Sequence, residues 1–395
     1  MGQWQLYAQR AETGLWLDND VQLDDFDMDW TLSGPAGGEG YIPAGLVASP
    51  YAMDGRLLWE KWGTLLFAEE DKKLAWVGIC LGANPDEKGI KVEFIGVTGW
   101  LQRVPYNDVL RTWERDVFDV IRHLVNHSKD YKPNLPFTVT GGNAGFTVGD
   151  PQPPEPPKEP VRRKGESKKD FRDSKRYEQY QEDAEKWNKA YGKRERFEIV
   201  WWEAPYIGEE IDTLAKEHNF DYRENVKWIN RTEQTYEFIL ELSDDMTNRR
   251  TDIALIDGQN LAEPLETKDI ENEFANHVIG LGKGEGRDMR RAVAGGRDGR
   301  LYQAEYITYK SVKSEDRLRR LISRDHKRLS NPDPEVGNVV VWDIPGWASV
   351  STLRCGDEVQ VISDNTQPRT EVWRRIVGIT RSPVESVVAL ELEAS

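Results

Sequence analysis

The sequence contains very little cysteine, no long apolar run and no net positive charge. Cys80 and Cys355 are its two cysteines, and two distant thiols cannot form a disulfide framework or a zinc knuckle, which fits a protein made in a reducing cytoplasm. No stretch approaches about 18 consecutive apolar residues, and the N-terminal MGQWQLYAQR lacks the apolar region typical of a signal peptide. We therefore expect a soluble protein without stable membrane insertion.

Acidic residues outnumber basic ones. The chain has 53 lysine and arginine residues against 69 aspartate and glutamate residues, which gives a formal charge of −16. Such a field repels the phosphates of nucleic acids and anionic membranes, so general DNA or RNA binding is disfavoured. Hydrophobic residues fill 38% of the 395 positions, enough to bury real cores, and this length favours about two to four domains.

The pattern of apolar and polar residues divides the chain into three segments. Residues 1–104 are typical of β-structure. Residues 105–260 form a mixed insert of helices and strands, and residues 261–395 return to strand-like runs with one helix at 314–329. The predicted fold class is therefore α+β and β-rich, with a mixed α/β insert between two β-rich ends.

Two local patterns predict specific elements. The apolar runs Thr64–Ala68 and Leu74–Leu81 flank a charged turn, which predicts a β-hairpin. In residues 106–127, the apolar side chains follow one face of a helix from Val109 onward. A helix is therefore predicted over that whole stretch.

Residues 150–196 are unlike the rest of the insert. Residues 150–160 (DPQPPEPPKEP) are dense in proline and predict an extended, exposed spacer. Residues 161–196 carry 13 basic against 8 acidic residues, and their aromatic and small residues recur at a spacing of 3-4-3-4, which predicts a helix with one aromatic seam: Tyr177, Tyr180, Ala184, Trp187 and Tyr191. The basic stretch 161–176 could contact phosphate, but its interleaved acids favour a solvated helical arm or a subunit contact.

The segment GLGKGEGRD (280–288) looks like a phosphate-binding loop. A dinucleotide fingerprint has the spacing G-x-G-x-x-G, and counting from Gly280 places Glu285 where the third glycine belongs. A P-loop requires a lysine followed by serine or threonine, whereas Lys283 is followed by Gly284. The residues that follow are strand-like and offer no helix N-terminus to a phosphate. We interpret the segment as a glycine-rich connection between strands.

Two groups of residues could carry chemistry. His123 and His127 lie one helical turn apart, a spacing that can chelate a metal, but no third histidine or cysteine lies nearby in sequence and the intervening glutamate of a zinc protease is absent. Two histidines on a helix face are the simpler interpretation.

The second group is the acidic cluster of WWEAPYIGEEID (201–212). Paired acids beside tryptophans resemble a glycosidase cleft, and the residues concerned are Glu203, Glu209, Glu210 and Asp212 beside Trp201 and Trp202. Three of these acids also fall in the predicted first turn of a helix, where the helix dipole favours negative charge. Close acidic pairs arise by chance in a chain with 69 acids.

No catalytic candidate survives these tests of spacing and context. The sequence has no G-x-S-x-G elbow, and neither cysteine has a context that would activate a thiolate. The 15 tryptophans exceed what one core cluster of a β-rich domain needs, so some are expected at interfaces. We predict no catalytic, cofactor-binding or metal-binding residues and favour a structural or interaction protein.

A series of motifs in fixed order gives a family resemblance. In the middle of the chain, a pair of tryptophans and a glutamate precede a Gly-x-Glu-Ile-Asp-x-Leu-Ala stretch and then Phe-x-Tyr, carried by Trp201, Trp202, Glu203, Gly208, Glu210, Ile211, Asp212, Leu214, Ala215, Phe220 and Tyr222. Further matching segments are LSGPAG (32–37), LLWEKWGTLLFAEED (57–71), DVFDVIRHLVNH (116–127), RRTDIALIDGQN (249–260) and GLGKGEGRDMRR (280–291).

Over residues 1–310 the sequence thereby resembles the minor tail proteins of long, non-contractile-tailed phages of actinobacteria (siphoviruses), a family similar to the trimeric hub at a phage tail tip. Gln259 replaces the glutamate usual in that family, and SDDMTN (243–248) stands where a Pro-Arg-Gly turn is common. The charged arm 161–196 also looks variable.

The resemblance implies a specific architecture and role. Residues 1–104 and 261–395 would each form a tube-like antiparallel β-barrel domain, so that a homotrimer presents six similar units to a six-fold tail tube. The chain would be a baseplate hub in the virion, assembled in the host cytoplasm, with the distal tail protein, the tape measure protein and other minor tail proteins as partners. DNA would pass through its channel only transiently, and the glycines of 280–288 would form a bend between barrel strands.

Two other functions remain open from the sequence. One is a tail-tip cell-wall hydrolase that uses the acids beside Trp201 and Trp202. The other is a carbohydrate-binding tip protein that uses exposed tryptophans.

Overall fold

The structure, a computed structural model, describes residues 3–48, 50–131, 135–265, 267–268, 274–310, 312, 314–330, 335–344, 350–365 and 369–394. Strands account for 40% of the described residues and helices for 21%, so the fold is β-rich with a smaller share of helix, as the sequence predicts.

The strands, in chain order, are β1 (Trp4–Arg10), β2 (Trp16–Asp18), β3 (Asp24–Thr31), β4 (Gly37–Ile42), β5 (Thr64–Glu70), β6 (Lys73–Pro85), β7 (Ile90–Ile95), β8 (Val109–Thr112), β9 (Arg115–Asp116), β10 (Phe137–Thr140), β11 (Thr147–Val148), β12 (Phe197–Val200), β13 (Asp221–Asn230), β14 (Thr235–Ser243), β15 (Asn248–Ile256), β16 (Thr267–Lys268), β17 (His277–Leu281), β18 (Arg291–Gly295), β19 (Ala304–Thr308), β20 (Glu335–Val336), β21 (Val339–Trp342), β22 (Asp357–Ser363), β23 (Thr370–Arg381) and β24 (Val387–Ala394).

The helices are α1 (Val97–Leu101), α2 (Val117–Ser128), α3 (Lys168–Arg172), α4 (Lys175–Tyr191), α5 (Ile207–His218) and α6 (Glu315–Ser330). Three short 3-10 turns lie at Trp201–Glu203, Gly286–Asp288 and Val350–Thr352.

Twelve strands form one main sheet, in the order β15-β22-β23-β3-β4-β7-β6-β5-β1-β2, with β24 beside β23 and β21 beside β24. All of these pairs are antiparallel except β15 with β22. The long strand β23 pairs with β22 along its first half and with β3 along its second half. This strand therefore joins the sheet of the N-terminal segment to that of the C-terminal segment.

Strand β5 shows why the sheet has a core on each side. Successive side chains of a strand point to opposite faces, so Leu65 and Phe67 enter one core while Leu66 and Ala68 enter another. All four side chains are almost fully buried. The first core continues beneath α2, α5 and the β13-β14 hairpin, and the second lies between β5 and the strands β3, β4 and β7.

Two further cores lie in the last third of the chain. One joins β15, β21, β22, β23 and β24 through Leu255, Val341, Val361 and other buried aliphatic residues. The other lies between α6 and the three-stranded sheet β18-β17-β19. The predicted helix at 314–329 is confirmed, with bounds shifted by one residue at each end.

The hairpin predicted at Thr64–Ala68 and Leu74–Leu81 is confirmed as β5 and β6. The helix predicted from Val109 is wrong in its first part, because Val109–Thr112 is strand β8, antiparallel to β12. Helix α2 begins at Val117, after Asp116 accepts a hydrogen bond from Phe118 N at 2.9 Å. Over four residues an apolar pattern fits a strand and a helix equally well. Residues Val109–Thr112 form a strand because they pair with β12, about ninety residues later in the chain.

The strands of residues 1–104 and 261–395 meet directly through β3 and β23. The boundaries of the three predicted domains stay predictions, as does the tube-like closure of the two β-rich ends. In the arm, the predicted aromatic helix is confirmed as α4, with α3 as a separate short helix before it.

The glycine-rich segment 280–288 connects two antiparallel strands, β17 and β18, as a bend. Gly280 faces α6 so closely that an added Cβ would lie 2.2 Å from Ile322 Cγ1. Gly284 and Gly286 have φ angles of 136° and 57°, which side-chain-bearing residues rarely adopt. Close packing and left-handed turns therefore account for these glycines, and β18 rather than a helix follows them.

We predict that Gly280→Ala lowers the free energy of unfolding by about 2 kcal/mol, because the new methyl group must displace the buried Ile322. Gly296→Ala is the matched control, since an added Cβ there meets no atom within 4 Å. Urea denaturation of both purified variants measures the difference. An equal loss of stability in the two variants would contradict the packing argument.

Candidate interaction surface

The Trp201–Trp202 pair lies where a strand meets a tight turn. Strand β12 pairs with β8 up to Val200, and the chain then enters the 3-10 turn Trp201–Glu203. Trp201 N donates a hydrogen bond to Asp108 O at 3.1 Å, and Ala204 ends the turn at a φ of 52°. The backbone under both tryptophans is therefore fixed by hydrogen bonds on each side.

Both tryptophan side chains face solvent. Trp201 is 57% exposed and Trp202 is 53% exposed, and their rings make an edge-to-face contact with centroids 5.7 Å apart. The Arg111 guanidinium lies 5.8 Å from the Trp202 ring centroid, and Val109 and Tyr206 are exposed beside the turn. We name Val109, Trp201, Trp202 and Tyr206 the tryptophan surface.

The tryptophan surface has the chemistry of a protein contact. Tryptophan, tyrosine and arginine are enriched among the residues that dominate binding energy at interfaces. Rings at 84° to each other do not form one flat platform for a sugar ring. A second protein surface with a complementary pocket fits this arrangement better.

Of the four acids predicted as catalytic candidates, three lie near one another around the start of α5, and Asp212 is hydrogen-bonded within the fold. Glu203 and Glu209 are exposed, Glu210 is half-buried, and burial raises the pKa of Glu210, with Glu217, Glu203 and Glu209 adding to the effect. Asp212 accepts hydrogen bonds from Tyr222 Oη and from Gln102 Nε2. Asp212 thereby connects α5 to β13 and to the segment after α1, which is a structural role.

A cavity of about 480 Å³ lies elsewhere, and none of the four acids lines it. Two of its arginines form ion pairs: Arg223 binds Glu241 at 2.7 Å and Arg381 binds Glu70 at 2.9 Å. Glu224, also in its lining, accepts hydrogen bonds from two backbone amides at the start of α1. Burial raises the pKa of Glu224. The Glu224 contacts join β13 of the insert to the start of α1, whereas each of the two ion pairs lies within a single sheet.

The histidine pair serves packing. His123 Nε2 lies 2.9 Å from Tyr106 Oη, and Asn107 N donates to His127 Nε2 at 3.3 Å. Burial lowers the pKa of His123, and the charges of Arg115 and His127 lower it further. Within the described ranges, no group of three or more His, Cys, Asp or Glu side chains is arranged to hold a metal ion.

The cysteines lie in the cores. Cys80 and Cys355 are buried, and burial raises their pKa values to about 11 and about 12. Both thiols are therefore protonated at neutral pH. Among the helices of the described residues, none is long and apolar enough to cross a bilayer.

An acidic row on the main sheet was not predicted from the sequence. Asp27 of β3 lies opposite Glu39 of β4, and Glu39 lies opposite Glu93 of β7. We name these three residues the acidic ladder. Like charges directly opposite one another destabilise a sheet. The sequence did carry a signal, because DDFDMDW (24–30) alternates acids with the buried residues of the opposite face.

The acidic ladder is only partly neutralised within the chain. Lys91 Nζ lies 2.6 Å from Glu39 and 3.6 Å from Glu93. Burial raises the pKa of Asp27 to about 6, and the charges of Glu385, Asp29 and Glu39 add to this effect. Excess negative charge therefore remains on this face of the sheet.

No protein-family model matches the sequence, and no curated protein matches it. Solved structures do match its fold. The 43 kDa tail protein of prophage MuSo2 from Shewanella oneidensis is 10% identical with a TM-score of 0.59, and the match covers 99% of this chain and 98% of that one. A tail protein from Neisseria meningitidis MC58 is 11% identical with a TM-score of 0.55, covering 98% and 96% of the two chains.

The prophage tail protein gp18 from Listeria monocytogenes EGD-e is 8% identical with a TM-score of 0.52, covering 98% of this chain and 94% of that one. The chain therefore has, along nearly its whole length, a fold also found in phage and prophage tail proteins.

We predict that Asp27→Asn raises the free energy of unfolding by about 1 kcal/mol at pH 8 and has no effect near pH 4. The pKa of Asp27 is raised in the folded chain, so the wild-type protein loses stability as the pH rises through about 4 to 6, whereas the asparagine variant does not lose this contribution. Urea denaturation at a series of pH values measures the difference.

Glu87→Gln is the control for Asp27→Asn, because Glu87 is an exposed carboxylate in the β6-β7 connection. The pH dependence of Asp27→Asn should exceed that of this control. A pH-independent effect of Asp27→Asn would contradict the crowding of charge at the acidic ladder.

Proposed function

We propose that the chain is a structural protein of a phage tail, namely the homotrimeric baseplate hub at the tail tip of a siphovirus that infects actinobacteria. The observation that carries the proposal is the fold match with the Shewanella prophage tail protein over 99% of this chain and 98% of that one. The ordered motif series from Leu32 to Arg291 supports the more specific assignment to a tail-tip hub.

The hub would match symmetries by presenting two similar β-units per chain, six per trimer, to a six-fold tail tube. Direct pairing of β3 with β23 supports this arrangement, since it holds the N-terminal and C-terminal strands side by side in one sheet. The two tube-like domains would be built from residues 1–104 and 261–395.

The proposed location is the tail tip of the virion, after assembly in the host cytoplasm. The hub would link the tail tube and the distal tail protein to the host-binding tip, with the tape measure protein and other minor tail proteins as further partners. DNA would pass through its channel during ejection. A formal charge of −16 supports passage without binding, because like charges repel.

The proposed role is non-enzymatic and depends on surface fit. The acids near Trp201 and Trp202 are dispersed between exposed and structural positions, which favours a contact surface over a glycosidase cleft. The tryptophan surface would bind a neighbouring tail protein through its two exposed indole rings.

We predict that the purified protein has a mass three times that of its 45.4 kDa chain, and that electron microscopy of particles finds three copies on the tail axis. Light scattering and particle imaging measure these two quantities. Six copies per particle, or a position off the tail axis, would overturn the hub assignment. Clearing of cell-wall material in zymograms, abolished by Glu203→Gln, would overturn the non-enzymatic role.

We predict that the double variant Trp201→Ala, Trp202→Ala lowers incorporation into tails at least about tenfold, because truncating residues that dominate an interface typically costs 2 kcal/mol or more, about thirtyfold in affinity. Its stability should change little, since both side chains are more than half exposed. Tyr51→Ala, at a residue 66% exposed elsewhere on the surface, is the matched control. Normal incorporation of the double variant would contradict the role of the tryptophan surface.

A further inference from the structure

The arm formed by residues 150–196 is a projection with a preformed structure. Helix α4 contains no buried residue, although its 17 residues span about 25 Å. Its aromatic face is half-buried under the proline-rich segment, which runs back along the helix: Trp187 Nε1 donates to Pro154 O at 2.9 Å, and Arg194 donates to Pro151 O at 2.8 Å. The arm therefore covers its own apolar seam and leaves its polar surface to solvent.

The arm is attached at its base. Glu195 N donates to the Asp150 carboxylate at 2.7 Å, and Lys283 Nζ lies 3.4 Å from Glu195. The Arg196 guanidinium lies 5.1 Å from the Trp113 ring centroid. These contacts fix the direction in which the arm leaves the insert.

The far end of the arm, residues 161–176, is folded rather than open, and we name it the arm tip. Phe171 is 8% exposed and packs on Tyr177 with ring centroids 5.1 Å apart, while the Arg176 guanidinium lies 5.2 Å from the Phe171 ring. Arg176 also forms an ion pair with Glu166. A hydrogen bond from Asp170 N to Ser167 Oγ at 3.1 Å caps α3.

The arm tip is strongly basic in a strongly acidic chain. Eight lysine and arginine residues face three acidic residues between 161 and 176, against a formal charge of −16 for the whole protein. Seven of the eight basic side chains are exposed: Arg162, Arg163, Lys164, Lys168, Lys169, Arg172 and Lys175. The tip thus presents preorganised positive charge, with Phe171 buried and Val161 exposed at its start.

The acidic ladder has the complementary chemistry. Asp27, Glu39 and Glu93 lie in register across three neighbouring strands, and Lys91 neutralises only part of their charge. Lys88 lies 3.9 Å from Asp25 at the edge of the same face. A cationic partner would relieve the repulsion between these opposed carboxylates.

We propose that the arm tip of one copy of this chain docks on the acidic ladder of a neighbouring copy. The proposal rests on the homo-oligomer put forward above, and it names the contact that one subunit makes with the next. Within one chain the cations of the tip are exposed, and the Glu39 carboxylate is exposed although Lys91 contacts it, so a second copy brings further positive charge to the acidic ladder. A nucleic acid or an anionic membrane is a poorer occupant, because the rest of the chain repels phosphate.

Engineered thiols test the contact, because both native cysteines are buried. One chain carries Lys164→Cys in the arm tip, and a differently tagged, co-expressed chain carries Glu39→Cys. Oxidation should join the two chains through a disulfide between residues 164 and 39, identified by mass spectrometry of the linked peptides. Because the two engineered cysteines are on different chains, this disulfide can form only between two copies. Glu185→Cys, exposed at the middle of α4, replaces Lys164→Cys in the matched control and should react far less.

Charge exchange tests the electrostatic basis. Adding Arg162→Glu and Arg163→Glu to the Lys164→Cys chain should lower the cross-linking rate at least about tenfold, since like charges in contact cost several kcal/mol. Adding Asp27→Lys and Glu93→Lys to the Glu39→Cys chain should then restore the cross-linking rate, because opposite charges face each other again. Cross-linking should also fall in 1 M salt, where the screening length is about 3 Å. Cross-linking at the same rate as the Glu185→Cys control, or unaffected by charge reversal, would overturn the proposal.

The outcomes separate this contact from the hub assignment. A trimer on the tail axis without the 164–39 cross-link would overturn the arm contact and leave the hub standing. The 164–39 cross-link in a protein that lies off the tail axis would support the arm contact and overturn the hub assignment. Retention of the wild-type protein on DNA or on phosphatidylglycerol vesicles, lost on reversing the charges of Arg162 and Arg163, would overturn the second copy as the occupant.

Discussion

The pairing of β3 with β23 is the contact on which the rest of the structure depends. It joins residues about 350 positions apart in the chain, through the register Gly378↔Thr31 to Arg381↔Met28. A hydrogen bond from Thr380 Oγ1 to Asp29 Oδ1 at 2.6 Å and one from Leu32 N to Val377 O at 2.8 Å reinforce it. This pairing places strands of both β-rich ends in one sheet, although the mixed insert separates them in the chain.

Buried polar contacts then fix the insert. The Glu69 carboxylate of β5 accepts two hydrogen bonds at 2.8 Å from Arg231 and one at 2.6 Å from Trp228, which ties the β13-β14 hairpin to the main sheet. The Glu224 carboxylate of β13 accepts hydrogen bonds from the Val97 and Thr98 amides, which ties the hairpin to the start of α1. Such contacts are strongly directional. These contacts hold the β13-β14 hairpin in a defined position against the main sheet and α1.

Several residues that suggested chemistry in the sequence make contacts within the fold. Asp212 binds Tyr222 and Gln102, and His123 lies against Tyr106. The glycines near 280 accommodate Ile322 and a left-handed turn. In each case the residue type was compatible with a catalytic or ligand-binding role, and the structure uses its small size, its charge or its hydrogen-bonding capacity within the fold. The features that remain exposed are aromatic and charged surfaces, which suit contacts between proteins.

The sequence alone determined the local elements, because helix and strand periodicity are set by neighbours in the chain. It predicted the β5-β6 hairpin, the arm helix α4, helix α6 and the bend at 280–288. It also predicted that some of the 15 tryptophans lie at interfaces, without identifying which ones. Tertiary structure decided that Val109–Thr112 is a strand, since only its partner β12 distinguishes it from a helix. The acidic ladder likewise exists only through strand register, because Asp27, Glu39 and Glu93 become neighbours when β3, β4 and β7 pair.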